Sequence, residues 1–391
     1  MSKDTSFETA AVHAGEDRTK HHGAASVPIY TASLYSFSDA DDGIAIHNDQ
    51  KPGYYYGRLG NPTQEALERT VAELESAEDA LSFASGMAAI SASILTFAKQ
   101  GDHIVAPASM YSTTTNLLRY LGDLGIEASF IDATNAGNYS SAAKENTRIF
   151  WIETPSNPLV QITDINEVVK IAKDLGVATI ADNTFATPYN QRPIGMGVDL
   201  TIHSATKYLG GHSDLTAGVM AGSNELIAKA RHGPSKLLGG NIAPQVAWLV
   251  SRGVKTLALR MERHNSNAYA LADMLSSHPK VKTVYYPGLE SHSNHTVAKA
   301  QMRGFGGMVS LDLDTAEAAK GFVNAVRLCT FATSLGGVET IVQPAALMTH
   351  ATISAEDRAK AGISEGLIRM SVGIESIEDI KADIEQALAK I

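Results

Sequence analysis

The sequence predicts an α/β fold in which a mostly parallel β-sheet is covered by helices on both faces. Two features carry this. Short, mainly apolar runs alternate with helical stretches through the first two-thirds of the chain, and runs this short and this apolar suit strands covered on both faces. The 391 residues are also 44% hydrophobic and 19% charged, with 32 glycines, which is the make-up of a close-packed globular protein. A chain this long exceeds the size at which single cores split, so more than one domain is expected.

Residues 1–60 are rich in Gly, Pro, Tyr and Asp and show little periodicity, as in "PIYTASLYSFSDADDG" and "QKPGYYYGRLGNPT". They read as an extended N-terminal arm that lies on another surface. A helix starts near Pro62, where Ala66, Leu67, Val71 and Leu74 fall on one side of "NPTQEALERTVAELESAEDA". Strand-like runs and helices then follow in turn: "ALSFAS", helix 87–98, "HIVAPA", helix 111–121, "EASFID", "RIFWIETP", helix 165–175, "VATIADN" and "LTIHSA". A long helical stretch over 244–277 comes next, followed by a second strand and helix set with "VKTVYYPG", "GMVSLDLD", "LIRMSVGIE" and a terminal helix over 376–390. The expected division is an arm over 1–60, a larger domain over 61–250 and a smaller C-terminal domain over 251–391.

Composition narrows the function classes. A formal charge of −10 and no Lys/Arg cluster leave no basic field for nucleic acid. The single cysteine, Cys329, rules out an internal disulfide framework and suits a reducing cytoplasm. The polar start "MSKDTSFETAAVHAGEDRTKHH" lacks an apolar signal core and no run is long enough for a membrane span, so neither export nor membrane insertion is expected. The histidines show no HExxH or other metal spacing, so no metal is expected. There is also no GxSxG elbow, no P-loop and no GxGxxG.

Three polar groups stand at the ends of predicted strands: Glu153, Asp182 and Lys207. Parallel strands would send all three into one crevice, at the carboxyl edge where such sheets bind ligands. An acid and an amine there are either a structural ion pair, or a carbonyl-binding lysine with a carboxylate that keeps a heterocyclic nitrogen protonated. In "SFASGMAAI" a strand runs into Ser85 and Gly86 and a helix opens at Met87, which is either simple packing or a phosphate site without a lysine. Ser204 and Thr206 flank Ala205 on one side of extended backbone and add two hydroxyls. Tyr111 opens the helix after "HIVAPAS" and is either a half-buried ring or a stacking and acid group. Arg58, within "YYYGRLGNPT", has the fork geometry for a phosphate or carboxylate, and the aromatic crowding around it suggests docking on a neighbouring subunit. Arg369 sits inside the apolar run "LIRMSVG", as an ion pair at a domain interface or as the anchor of a substrate carboxylate.

In order along nearly the whole chain, "YYYGRLGNPT", "SFASGMAA", "IETPSNP", "IADNTFATP", "HSATKYLGGHSD", "SLGGVET", "MTH" and "LIRMSVGIE" resemble the Cys/Met-metabolism family of pyridoxal 5′-phosphate enzymes. That family includes cystathionine synthases and lyases, methionine γ-lyase and O-acetylhomoserine sulfhydrylase. The resemblance implies the aminotransferase-like fold (fold type I), with a seven-stranded sheet domain and a smaller α+β C-terminal domain. It also implies that Lys207 carries the cofactor, that Asp182 pairs with its pyridine nitrogen, and that Tyr111 stacks on its ring. Ser85, Gly86, Met87, Ser204 and Thr206 would hold its phosphate. Tyr56 and Arg58 would reach the phosphate of an adjacent subunit, which makes a dimer the catalytic unit and a homotetramer of paired dimers the expected assembly. Arg369, with Asn157 and Ser334, would receive the carboxylate of a small amino-acid substrate or lie near the cofactor's 3′-oxygen.

The specificity positions are neutral. Members of the family that act on methionine carry a cysteine two residues after the tyrosine, where this chain has Thr113. Cystathionine-directed members often place Glu before the SLGG serine, and the enteric-type β-lyases often place Trp after it; here these are Thr333 and Leu335. An uncharged side chain such as that of methionine suits this lining. The expected activity is γ-elimination from methionine, cystathionine or homocysteine, giving an α-keto acid, ammonia and a thiol. The alternative is γ-replacement on an activated homoserine to make cystathionine or homocysteine.

Overall fold

The computed structural model describes residues 5–351 and 353–391. The apolar runs form β1 (Asp79–Phe83), β2 (His103–Pro107), β3 (Glu127–Ile131), β4 (Thr147–Glu153), β5 (Ala178–Asp182) and β6 (Leu200–His203), and a further strand, β7 (Gly218–Gly222), follows them. They make a 7-stranded sheet in the order β1-β7-β6-β5-β4-β2-β3. β7 runs antiparallel to both of its neighbours, and the remaining pairings are parallel. The α/β architecture and the mostly parallel sheet are as the apolar runs predict, and the count of seven is as the family resemblance implies, since Gly218–Gly222 is not among those runs.

Side-chain alternation explains the double cover. In β4, Ile149 and Trp151 join the cluster built on the helix Gly86–Phe97, while Phe150 and Ile152 join the one built on the helix Ile165–Leu175. These helices are fixed at their starts. Ser85 caps the first by accepting the Ala88 N–H at 3.1 Å, and Asp164 caps the second by accepting the Glu167 N–H at 3.1 Å. Each such cap contributes about 1 kcal/mol. Pro62 opens its helix as expected, behind an Asn61 cap.

The stretch expected as one helix over 244–277 is two, Pro244–Val254 and Leu257–Ser276, interrupted at Lys255 and Thr256. The arm also differs from the expected extended chain: Phe7–His13 is helical and buries Phe7, Ala10 and Ala11, and Ala40–His47 forms a second helix. Both segments are too short to announce a period in the sequence.

The rest of the chain adds β8 (Thr283–Tyr285), β9 (Met308–Asp312), β10 (Thr330–Phe331), β11 (Ile341–Pro344) and β12 (Leu367–Ser371), in a 5-stranded sheet ordered β10-β11-β12-β9-β8. Alternation in "LIRMS" sets its orientation. Ile368 and Met370 pack with Leu271, Phe322 and Ile384 beneath helices, whereas Arg369 lies in a cross-strand row with Ser310 and Gln343. That row faces the large sheet, since Ser310 Oγ donates to Pro158 O at 2.6 Å. No helix among the described residues is long and apolar enough to cross a membrane.

Candidate active site

At the carboxyl edge of the large sheet a cavity of about 430 Å³ is lined by Ser85, Gly86, Met87, Tyr111, Asn157, Asp182, Ser204, Thr206, Lys207, Ser334 and Arg369. Every site residue expected from the sequence is therefore in one place, except Tyr56 and Arg58. Those two lie on the arm, where Leu34 pairs with Tyr56 and the Arg58 guanidinium sits 5.6 Å from the Tyr56 ring and donates to Lys236 O at 2.6 Å.

At one end, Ser85 and Gly86 turn β1 into the helix Gly86–Phe97, so the leading N–H groups of that helix, which have no partner within it, and its positive dipole end face the cavity. Close approach requires glycine here. A Cβ on Gly86 would stand 2.8 Å from the Ser204 side chain, and one on Gly218 would stand 2.2 Å from Ser85 O. The Ser204 N–H donates to Thr184 Oγ1 at 2.9 Å, which leaves the Ser204 hydroxyl on the cavity wall. The Thr206 hydroxyl instead donates to Ala217 O at 3.2 Å and accepts from the Ala217 N–H at 3.0 Å. These bonds join the lysine loop to the start of β7, and Thr206 also lines the cavity.

Asp182 ends β5, and its Oδ1 accepts the Thr184 N–H at 3.0 Å. Burial pushes its carboxyl above the ordinary range, and the Thr184 hydrogen bonds oppose that shift. Beneath it runs a buried polar chain: His203 Nε2 lies 2.6 Å from Glu75 Oε1, which also accepts from Asn183 Nδ2, and Asn183 links on through Gln191 to Gln301.

Lys207 does not pair with either carboxylate. Its Nζ donates to Ser334 Oγ at 2.6 Å, and burial, with the nearby Arg369, lowers its pKa to about 8. This removes the structural ion-pair reading of the lysine. Ser334 holds a φ of 80°, in the left-handed region that non-glycine residues seldom occupy. Gly336, at φ 75°, lies so close to the lysine loop that a Cβ there would stand 2.6 Å from Tyr208 N.

Arg369 is buried, and burial depresses its pKa to about 10. Its Nη1 donates to Asn157 Oδ1 at 2.9 Å and its Nη2 to Ser334 O at 2.8 Å. Gln343, its cross-strand partner, accepts from the Nη2 and Nε groups with its amide oxygen turned to the guanidinium. Tyr111 precedes the helix Ser112–Asp123, and its N–H donates to both oxygens of Glu153 at 3.0 Å. With 37% of its surface exposed, it is the open edge of the site. Sequence reasoning gave no role to Thr184 or Gln343: the Thr184 hydroxyl meets Ser204 only once β5 and β6 lie side by side, and Gln343 meets Arg369 only across β11 and β12.

A sequence model of the family described as Cys/Met metabolism PLP-dependent enzyme matches residues 8–389. The chain belongs to that family. An L-methionine γ-lyase of Fusobacterium nucleatum is 44% identical over 393 residues, covering 100% of this chain and 99% of that protein. A cystathionine β-lyase of Lactococcus lactis is 45% identical over 387 residues, covering 99% of this chain and 100% of the relative. Among solved structures, cystathionine γ-lyase from Lactobacillus plantarum, complexed with L-serine, superposes with a TM-score of 0.94 at 38% identity, covering 99% of each chain. A Cys/Met-metabolism enzyme uses pyridoxal 5′-phosphate, and the residues present fit that group. The cavity offers a helix N-terminus for an anion, an amine of lowered basicity for an aldehyde, and a buried carboxylate with acceptor capacity to spare for a protonated ring nitrogen.

Proposed function

We propose that this enzyme cleaves the carbon–sulfur bond of sulfur amino acids by γ-elimination, releasing an α-keto acid, ammonia and a thiol. The observation that carries the reading is the Lys207 amine, lowered to about 8 and held 2.6 Å from Ser334 Oγ, in a cavity whose outer lining at Thr113 and Thr333 is neutral. A neutral lining accepts a thioether side chain without leaving a charge unpaired.

When bound, pyridoxal 5′-phosphate supplies the electron sink that lets bonds at the substrate's α-carbon and β-carbon break. The proposed tasks of the protein groups follow from their placement. Ser85, Gly86, Met87 and Ser204 bind the phosphate, and Thr206 shapes the same wall. Asp182 holds the proton on the ring nitrogen, while Tyr111 packs against the ring. Arg369, fixed by Asn157 and by the Ser334 carbonyl, anchors the substrate carboxylate and so orients the α-carbon. Lys207 Nζ would take the α-proton, give it up again within the cavity and, once more neutral, take a β-proton; its lowered pKa gives it a larger neutral fraction near physiological pH than an ordinary lysine has. The Tyr111 hydroxyl protonates the departing γ-sulfur. Tyr56 and Arg58 complete the phosphate site of a second subunit, in a cytoplasmic homotetramer of catalytic dimers, with the arm, cofactor domain and C-terminal domain divided near residues 60 and 250.

The deciding assay is α-keto acid and ammonia release from L-methionine, L-homocysteine and L-cystathionine. α-Ketobutyrate from any of them supports γ-elimination, whereas pyruvate from L-cystathionine marks β-cleavage instead. A second reading stays open because an activated homoserine ester is as uncharged as a thioether and meets the same Thr113 and Thr333. In that case the enzyme consumes the ester only when a thiol is supplied and releases no keto acid.

A further inference from the structure

Glu153 has no part in the steps above, yet it holds both walls of the cavity. It ends β4 with 5% of its surface exposed, and no cation meets its carboxyl among the described hydrogen bonds; backbone donors do. Oε1 accepts the Tyr111 N–H at 3.0 Å and the Asn157 N–H at 2.9 Å, and Oε2 accepts the Tyr111 N–H at 3.0 Å. The Tyr111 carbonyl accepts the Thr114 N–H at 2.9 Å, but its side chain makes no capping bond to the helix that it begins, so its own N–H is held by Glu153. Asn157, in turn, presents its Oδ1 to Arg369 Nη1 at 2.9 Å.

We propose that Glu153 is a positioning residue whose carboxyl, through the backbone of Tyr111 and of Asn157, sets the phenol and the Arg369 guanidinium relative to each other across the cavity. A buried carboxyl is costly unless its oxygens are satisfied, and here the groups that satisfy it are the two that carry the acid and the anchor. Burial and the neighbouring Asp182, its partner across β4 and β5, push the Glu153 carboxyl well above the ordinary range. An amide oxygen in place of Oε1 can still accept from the Tyr111 and Asn157 N–H groups, whereas an amide nitrogen in place of Oε2 gives up the second bond from Tyr111.

The inference rests on the roles proposed above for Tyr111 and Arg369. Its test compares Glu153→Gln, Glu153→Asp and Glu153→Leu in cofactor-loaded enzyme. Thermal stability, the absorption of the bound cofactor, kcat and KM for L-methionine, and the affinity for glycine from its perturbation of that absorption are read separately. Glu153→Asp withdraws the oxygens by one methylene while keeping a carboxyl. With cofactor retained, it is expected to lower kcat/KM about 10²-fold through both a higher KM and a lower kcat, and to weaken glycine binding about tenfold. Glu153→Leu should fall at least as far, and Glu153→Gln should recover a third or more of native kcat/KM. A cofactor-loaded Glu153→Asp enzyme within threefold of native in all three quantities would overturn the proposal, as would a Glu153→Gln enzyme as impaired as Glu153→Leu. If Glu153→Leu does not fold, the aspartate variant decides. Native enzyme that binds glycine but leaves methionine, homocysteine and cystathionine intact would overturn the substrate reading instead, and Glu153 would then be judged on glycine affinity.

Discussion

Lys207 Nζ donates to Ser334 Oγ across 2.6 Å, so an amine at the edge of the large sheet is steadied by a side chain that belongs with the small one. Ser334 reaches it from a backbone at φ 80°, a conformation that persists only where its surroundings enforce it. Ser334→Ala keeps the loop and removes the hydroxyl. The expected result is a fall in kcat of about tenfold with cofactor affinity nearly unchanged, measured by steady-state kinetics beside a cofactor titration.

Removing the amine itself is more severe. Lys207→Ala should lose turnover by on the order of 10³-fold or more and lose the yellow absorption of the covalently held cofactor, while circular dichroism stays native. Retained activity would remove Lys207 from the mechanism.

The lowered basicity of Lys207 gives a pH signature in the protein freed of cofactor. Only a neutral amine attacks an aldehyde, and the group is an ammonium below its pKa of about 8. The rate of capture of added pyridoxal 5′-phosphate should therefore climb as pH rises towards about 8 and level off above it. An ordinary lysine would keep climbing to about 10.4.

Arg369→Lys preserves the charge and loses the fork that reaches Asn157 Oδ1 and Ser334 O. KM for the amino-acid substrate should rise about 10²-fold or more, with the cofactor spectrum unaltered. A change confined to kcat would place Arg369 elsewhere in the reaction.

Arg58 tests the assembly. In a single subunit it stacks near Tyr56 and donates to Lys236 O, apart from the cavity. If the arm completes a neighbour's phosphate site, Arg58→Ala should weaken cofactor retention about tenfold and shift the oligomer towards smaller species on dilution, as read by light scattering. Unchanged cofactor affinity would remove the cross-subunit role.

Much of this site was legible because strand ends are legible. Asp182 and Lys207 each come at the end of, or just after, a short and mainly apolar run, and a parallel sheet sends such ends to one edge. "SFASGMAA" announced the strand-to-helix turn at Ser85 by its small residues. The grip on Arg369 was harder to see: Asn157, Gln343 and the Ser334 carbonyl come from three separate segments, and no local period links them. The same holds for the polar chain from His203 through Glu75 to Gln301, whose members look like ordinary surface residues until the fold buries them. The break at Lys255 and Thr256 was hidden because both halves of that stretch have helical composition. β7 was missed as a strand because "GVMAG" is short and bounded by glycines, and its antiparallel direction leaves no mark on side-chain pattern.

The cavity is walled by two sheets, with the helix Gly86–Phe97 on one side and Arg369 on the other. A molecule that grips both walls acts as a rivet between them. Its binding energy is then also the energy that keeps the two sheets seated, and at a concentration of 100 times Kd that linkage amounts to about 2.7 kcal/mol. The seam should open more readily when the cofactor is stripped and the amino-acid supply is exhausted, and protease nicks are expected to gather there first. For this enzyme, the abundance of intact protein and the availability of its ligands become a single quantity.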